Sequence, residues 1–174
     1  MTPLRFYAGI GSRQTPDEVL IKMKRMASLL ERLGFILRSG GANGADSAFE
    51  SGVESDLNQE IYLPWKGFNG NRSDLYTQPI RIRRLVERVF PPAKTVAVER
   101  FQRRNAQQIL GYHGYPESKV SFVLCWTPQG RGSGGTGMAL RIARRYQVPV
   151  FDMGKEEVGH PELFIRKILA HIAL

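Results

Sequence analysis

The chain has 174 residues, of which 42% are hydrophobic and 24% charged, a size and composition that suit one compact domain with its own apolar core. Its single cysteine, Cys125, excludes a disulfide framework and a thiolate zinc cage built from this chain alone. The net charge of +9 favours anionic partners such as nucleic acid, nucleotides or an acidic protein surface.

The amino-terminal sequence lacks the apolar stretch of a signal peptide, and apolar runs such as SFVLCW are far shorter than a membrane span. We therefore expect one cytoplasmic domain over residues 1–174, with no membrane partner. The three histidines have no cysteine or carboxylate at ligand spacing, so we predict no metal site and no cofactor.

Strand-like apolar runs alternate with helical patterns along the chain. The first strand candidate is followed by a helical pattern for which Thr15 is a candidate cap and Gly34 a stop. Further helical patterns follow the later strands, and the last runs from about residue 161 to 173. The strand candidates are residues 4–10, 35–39, 60–64, 120–126 and 148–153.

Repeated strand, loop and helix is typical of βαβ units. The sequence therefore predicts a three-layer, Rossmann-like α/β domain with a mostly parallel sheet. Residues 64–79 are rich in turn formers and too long for an ordinary connection, so we expect a functional loop over the site or an oligomer contact. The aromatic residues Trp65, Phe68 and Tyr76 in this loop suit stacking on a base and pinning of the loop equally well.

Three glycine-rich loops follow strand candidates. They are residues 9–13 (GIGSR, the first loop), 39–46 (SGGANGAD, the second loop) and 130–137 (GRGSGGTG, the third loop). Without a Cβ, backbone N–H groups approach a phosphate closely, and a following helix adds its positive end. Neither the dinucleotide fingerprint nor the P-loop motif is present, but three such loops at one sheet edge predict a phosphate site.

Together with FQRRN in the middle of the chain, these motifs resemble the SLOG superfamily of Rossmann-like nucleotide-binding domains, over roughly residues 5–152. That superfamily includes the DprA/Smf, LOG (lysine decarboxylase-like) and YspA-like proteins. The resemblance implies a nucleotide ligand and a homo-oligomer. It also implies the phosphate-facing residues Gly11, Ser12, Arg13, Gly40, Gly41, Gly44, Asp46, Arg104, Asn105, Ser133, Gly134, Gly135 and Thr136, and Asn43 and Gly137 complete the predicted nucleotide site.

One feature of the LOG enzymes is missing. Those enzymes follow the Gly-Gly-x-Gly-Thr motif with a catalytic glutamate, whereas this chain continues with Met138 and Ala139. Cleavage of an N-glycosidic bond would therefore need another carboxylate. Asp46 and Glu50, four residues apart on a predicted helix, are the candidate catalytic acids, with Arg104 beside them. Asp46 is alternatively a ligand for a ribose hydroxyl, and Glu50 alternatively a solvated surface residue.

The positive charge is concentrated in residues 80–106, which hold eight Lys or Arg against Glu87 and Glu99. Such a stretch is either a solvated helix face or a track for a nucleic-acid backbone, formed here by Arg81, Arg83, Arg84, Arg88, Arg100 and Arg103.

Two functional hypotheses follow. In the first, the protein binds a nucleotide or a nucleotide-derived small molecule, with or without weak phosphoribohydrolase-like activity, or sequesters it as a sensor. In the second, it is a DprA-like mediator of recombination that binds single-stranded nucleic acid.

Overall fold

The computed structural model describes residues 4–173, which form a five-stranded sheet covered by helices on both faces. All neighbouring strands are parallel, in the order β3-β2-β1-β4-β5. The predicted Rossmann-like α/β architecture is thereby confirmed. The strands are β1 (Arg5–Gly11), β2 (Phe35–Ser39), β3 (Gln59–Ile61), β4 (Phe122–Trp126) and β5 (Val150–Asp152).

Three strands, β3, β4 and β5, are shorter than their apolar runs, and for two of them a tertiary hydrogen bond explains the boundary. The run at 60–64 leaves the sheet after Ile61, because the N–H group of Leu63 donates to the carbonyl of Leu75, 2.9 Å away, in the long loop. In the run at 120–126, the Val120 N–H group donates to the Ile109 carbonyl over 2.9 Å, and bonding to β1 begins only with the Ser121 N–H group, which donates to the Phe6 carbonyl over 2.7 Å. Tertiary partners for these backbone groups, which the apolar pattern does not contain, therefore set both boundaries.

Six helices connect and cover the strands. The first begins after Pro16, and the Thr15 hydroxyl donates to the Ser12 carbonyl over 2.7 Å instead of capping the helix as predicted. The predicted stop at Gly34 is confirmed, since this residue has the positive φ of +79° that glycine adopts without strain. The helices are α1 (Asp17–Arg32), α2 (Ala45–Glu50), α3 (Ile80–Val89), α4 (Val96–Leu110), α5 (Gly134–Arg145) and α6 (Pro161–Ile172).

The two faces of the sheet have different cores. The face covered by α1, α2 and α6 holds an aromatic cluster in which Phe122 lies 5.6 Å from the ring centroids of both Tyr7 and Phe35. The opposite face is lined by smaller side chains such as Ala8 and Cys125, against which α3, α4 and α5 pack. Of the described helices, none has the length and apolar composition needed to cross a membrane.

The long loop at 64–79 is held against α4. Its aromatic residues Trp65 and Phe68 pack edge-on against Phe101 of α4, at centroid distances of 5.3 and 5.6 Å. Asn69 donates from its amide to the Gly41 carbonyl over 3.0 Å. Of the two roles weighed for these aromatics, the structure therefore shows the pinning of the loop.

The aromatic cluster generates a stability prediction. Phe122→Ala removes a ring with no exposed surface from contact with Tyr7, Phe35 and Phe151, so we expect a loss of about 3 to 5 kcal/mol in the free energy of unfolding. Urea denaturation followed by circular dichroism measures this loss. Leu57→Ala, at a side chain that is 89% exposed, is the control and should change stability by less than about 0.5 kcal/mol. A loss below 1 kcal/mol for Phe122→Ala would contradict this packing.

Candidate functional site

A cavity of about 470 Å³ opens at the carboxyl ends of β1 and β4, and we call it the main cavity. Its volume lies in the range of small-molecule sites in proteins. The end of β1, one face of α4 along most of its length and the start of α5 form its walls. It is lined by Ile10, Gly11, Ser12, Arg13, Gln14, Ala42, Asp46, Val98, Phe101, Arg104, Asn105, Gln108, Pro128, Ser133, Gly134, Gly135, Thr136 and Met138.

The start of α5 presents unpaired backbone donors to the main cavity. The Gly137 N–H group donates to the Ser133 carbonyl over 3.3 Å, and it is the first N–H group of α5 with a backbone acceptor. The N–H groups of Gly134, Gly135 and Thr136 have no acceptor among residues 4–173, and no side chain caps the helix. These donors and the positive end of the helix form an anion site of the kind that phosphates occupy.

A buried carboxylate fixes the segment that leads into α5. Asp152, at the end of β5, accepts hydrogen bonds from the Thr127 N–H group and the Gly154 N–H group, both over 2.9 Å, and from the Thr127 hydroxyl. The same hydroxyl accepts from the N–H group of Gly132 over 2.9 Å. The third loop is therefore tied to the sheet through two successive hydrogen bonds.

Asn105 joins the start of α5 to α4. Its side-chain amide donates to the Gly135 carbonyl over 3.1 Å, and the residue is only 4% exposed. This hydrogen bond uses the carbonyl of Gly135. The N–H groups of Gly134 and Gly135 stay free toward the cavity. Asn105 acts in the structure as a support for the anion site as well as a lining residue.

Arg104 lies at the bottom of the main cavity, next to the second loop. Its guanidinium donates to the Gly40 carbonyl and lies 3.7 Å from the carboxylate of Asp46. The ring of Phe101 is 5.4 Å from the guanidinium carbon, within cation–π range. Because Arg104 is only 7% exposed, its charge requires this carboxylate, and the two residues form a buried pair.

Asp46 and Glu50 have raised carboxyl pKa values. Burial raises the pKa of Asp46 to about 6, against the opposing effect of the Arg104 charge. Burial, and next the negative charge of Asp46, raise the pKa of Glu50 to about 7. Glu50 accepts from the Gly41 N–H group over 2.9 Å and does not line the main cavity, so of the two candidate acids only Asp46 faces a ligand there.

The second loop packs against its neighbours and leaves little backbone open. The N–H group of Gly41 is taken by Glu50, and that of Ala42 is 3.3 Å from Asp46 Oδ2. A Cβ at Gly40 would overlap the Arg104 guanidinium, and one at Gly44 would lie 2.8 Å from the Arg13 Cα. Gly40, Gly41, Gly44 and the exposed Asn43, all predicted to bind the nucleotide, lie outside the lining of the main cavity, where Ala42 takes their place.

The first loop contributes side chains more than backbone donors. The Ser12 N–H group donates to the Trp126 carbonyl over 3.1 Å, which fixes the loop on β4. Ser12 and the exposed Arg13 line the cavity together with Gly11. The predicted residue Gly137 lies beyond the lining, because its Cα packs against the Gly132 carbonyl.

The predicted nucleic-acid track lies outside the main cavity. Arg81, Arg83, Arg84 and Arg88 are exposed on α3, where Arg81 also stacks over the Tyr115 ring at 4.6 Å. On α4, Arg100 is exposed, and Arg103 forms an ion pair with Glu99. The structure therefore separates the track, on the outer surface of the α3–α4 layer, from the phosphate-facing residues.

Several cavity residues were not predicted. Val98, Phe101 and Gln108 lie on the same face of α4 as Asn105, at intervals of three or four residues. Helical spacing from the FQRRN motif would have found them. Pro128 and Met138 also line the cavity; Pro128 carried no signal in the sequence, and Met138 was noted only as the residue that replaces the LOG glutamate. Within residues 4–173, no three His, Cys, Asp or Glu side chains group as metal ligands.

No protein-family model and no curated protein matches this chain. A solved structure does resemble it: DNA processing protein A from Helicobacter pylori, described for its unique single-stranded DNA binding mode. The TM-score is 0.55 and the sequence identity 18%, over 99% of this chain and 80% of that one. The two proteins share a fold. The resemblance to DNA-processing protein A that the motifs predict is confirmed at this level.

The buried carboxyls make stability depend on pH. Because both pKa values are raised on folding, the folded protein binds more protons than the unfolded chain between about pH 4.5 and 7, and stability falls as pH rises through this window. Glu50→Gln keeps an acceptor for the Gly41 N–H group and cannot ionise. As the pH rises from 5 to 8, the free energy of unfolding of this variant should increase relative to that of the wild type by on the order of 1 to 3 kcal/mol.

Urea denaturation of both proteins at pH 5, 6, 7 and 8 measures this difference. Glu18→Gln, at an exposed glutamate of α1, controls for the loss of one negative charge. A constant difference between Glu50→Gln and the wild type across this range would mean that Glu50 ionises as readily in the folded protein as in the unfolded chain.

Proposed function

We propose that this protein binds a phosphate-bearing nucleotide, or a small molecule derived from one, in the main cavity, as a member of the SLOG group of Rossmann-like domains. The observation that carries the proposal is the open first turn of α5. Three N–H groups without acceptors there face a cavity of nucleotide size that also contains Arg13, Asp46 and Arg104.

The charges of the cavity suggest how a nucleotide is oriented. Ser133, Gly134 and Gly135 are exposed at the cavity mouth, and so is Arg13, whose guanidinium makes no hydrogen bond within the described residues. A phosphate at the mouth would meet both a cation and the helix amino terminus. Arg104, by contrast, is already neutralised by Asp46 deep in the cavity. In the proposed orientation the phosphate lies at the mouth and the nucleoside inside.

The interior suits a ribose and a base. The carboxylate of Asp46 is a charged acceptor that suits ribose hydroxyl donors. Val98, Phe101 and Met138 offer an apolar wall to the flat face of a base.

The proposal is one of binding, with slow or no cleavage of the N-glycosidic bond. At the position of the LOG glutamate stand Met138, whose side chain is apolar, and Ala139, which is buried. Glu50 is turned away from the cavity, toward the Gly41 N–H group. Among the described residues that line the cavity, Asp46 is the only Asp or Glu. Its carboxylate forms an ion pair with Arg104. A sensor or a protein that sequesters a nucleotide needs no more than this arrangement.

The anion site is tested by Gly135→Val. A Cβ at Gly135 meets no atom within 4 Å, so the variant should fold, while its side chain occupies the space next to the free N–H groups. We expect affinity for nucleoside monophosphates to fall by about tenfold to a hundredfold, the scale of one or two charge-assisted hydrogen bonds. Isothermal titration calorimetry measures this change.

Gly159→Val is the matched control, because Gly159 is also exposed, a Cβ there also meets nothing within 4 Å, and it lies away from the cavity. A folded Gly135→Val protein with wild-type affinity would remove α5 from the binding site.

The second candidate function is binding of single-stranded nucleic acid. Residues 80–145 hold thirteen Lys or Arg and three Asp or Glu, a net charge of +10, so the rest of the chain is close to neutral at −1. The shared fold with DNA processing protein A, whose structure was described for single-stranded DNA binding, agrees with this candidate. The exposed arginines of α3 would then contact phosphates along a strand.

A salt titration separates the two candidates. Binding of an oligonucleotide along α3 should weaken with salt with a log–log slope of about −0.7 for each neutralised phosphate, whereas one nucleotide in the main cavity should show a slope near −1 or shallower. Replacing Arg81, Arg83, Arg84 and Arg88 by glutamine should abolish the steep component and leave nucleotide affinity within about twofold. Loss of nucleotide binding in this variant would contradict the separation of the two surfaces.

A further inference from the structure

The main cavity becomes deeper along α4. Four of its lining residues follow one another at intervals of three or four residues, about one helical turn, and their exposure decreases in chain order. Val98 is 37% exposed, Phe101 is half-buried, Arg104 is 7% exposed and Gln108 is 2% exposed. Gln108 therefore lies at the floor of the cavity, about 15 Å along the helix axis from Val98.

The side-chain amide of Gln108 makes no hydrogen bond with any of residues 4–173, although it is almost fully buried. Its neighbour Gln107 differs, since the amide nitrogen of Gln107 donates to the carbonyls of Thr77 and Tyr112 over 3.0 and 3.2 Å, while its carbonyl oxygen is enclosed without a partner among the described residues. The Gln108 amide is not one of the fully enclosed polar groups that lack a partner, so a ligand inside the cavity can reach it. Since Gln108 lines the cavity, its amide is free for a ligand.

The chemistry of the free amide restricts the ligand group. A primary amide presents a donor and an acceptor side by side, and its complement is a group that presents an acceptor and a donor in the same way. The edges of nucleobases have this pattern, and glutamine pairs with adenine through two such hydrogen bonds. A phosphate has only acceptors at neutral pH and would leave the amide carbonyl unpaired.

We propose that Gln108 is the residue that determines base specificity, by pairing with the hydrogen-bonding edge of a nucleobase at the cavity floor. The inference rests on the proposed function, which places the phosphate at the mouth near α5. A nucleoside monophosphate in this orientation reaches from the free N–H groups of Gly134 and Gly135 past the apolar wall of Phe101 to Gln108.

The test compares the wild type with Gln108→Leu, a variant of similar volume without the amide. Calorimetric titrations use the four nucleoside monophosphates and ribose 5-phosphate, which has the phosphate and the sugar but no base. The wild type should bind at least one of the four nucleotides about tenfold to a hundredfold more tightly than ribose 5-phosphate. Gln108→Leu should bring the affinities of the four nucleotides to within about threefold of one another, because the apolar wall does not distinguish bases, and should leave the affinity for ribose 5-phosphate unchanged.

The matched control is Gln102→Leu. Gln102 is on the same helix, is 6% exposed, lies away from the main cavity, and its amide also makes no hydrogen bond within the described chain. It should keep the wild-type preference. Gln108→Leu should also unfold at a temperature close to that of the wild type, because leucine has a similar volume, and this readout confirms that the variant folds.

A second variant, at nearly the same side-chain size, changes the hydrogen-bonding groups of residue 108. Gln108→Glu replaces the donor by an acceptor, so the preferred nucleotide should shift toward bases that present two donors or an exocyclic amino group. A preserved base preference in both Gln108 variants would overturn the assignment, as would a wild type that binds ribose 5-phosphate as tightly as every nucleotide. If the wild type binds neither ribose 5-phosphate nor any nucleotide, the proposed function is wrong as well. This outcome differs from failure of the Gln108 assignment alone, in which the wild type still binds ribose 5-phosphate.

Discussion

The buried pair of Arg104 and Asp46 connects every part of the site. A guanidinium that is only 7% exposed needs a carboxylate partner, and this one forms an ion pair with Asp46 of α2 and donates to the Gly40 carbonyl after β2, while its Nε–H has no acceptor among the described residues. The pair thus joins α4, on one face of the sheet, to the second loop and α2. The position of α4 in turn sets where Phe101, Asn105 and Gln108 meet the cavity.

The same pair explains why the glycine loops differ in their roles. Gly40 must lack a Cβ because the guanidinium of Arg104 occupies that space, and the N–H groups of Gly41 and Ala42 are used by the carboxylates of α2. The second loop is therefore a packing surface. In the third loop, no carboxylate among the described residues accepts from the N–H groups at the start of α5. These N–H groups are therefore open toward the cavity.

Charge is divided between two surfaces with different properties. Inside the cavity, the arginine at the floor is neutralised and the cation at the mouth is free, which gives the site a direction along α4. Outside, the arginines of α3 are exposed and can act only through the summed field and through contacts to an extended anion. The mouth of the cavity is at the amino-terminal end of α4, the helix against which α3 packs.

The sequence by itself determined the order of strands and helices, the parallel sheet and the sheet edge at which the loops meet. These depend on the period of apolar residues and on handedness rules that are local or general. It also identified Asp46, Arg104, Asn105 and residues 133–136, which line one cavity in the structure. The short motifs that contain them are contiguous along the chain, which is why the pattern is visible without coordinates.

Only the tertiary structure decided which backbone groups are free and which side chains are unpaired. Glu50 and Gly41 lie nine residues apart and Gly40 and Arg104 lie 64 apart, and each pair consumes a donor or an acceptor that would otherwise face a ligand. Gln108 has no motif, and its significance comes from the absence of a partner at the floor of the cavity among residues 4–173. Hydrogen-bond satisfaction is a property of distant residues brought together, so the period and spacing of a sequence do not contain it.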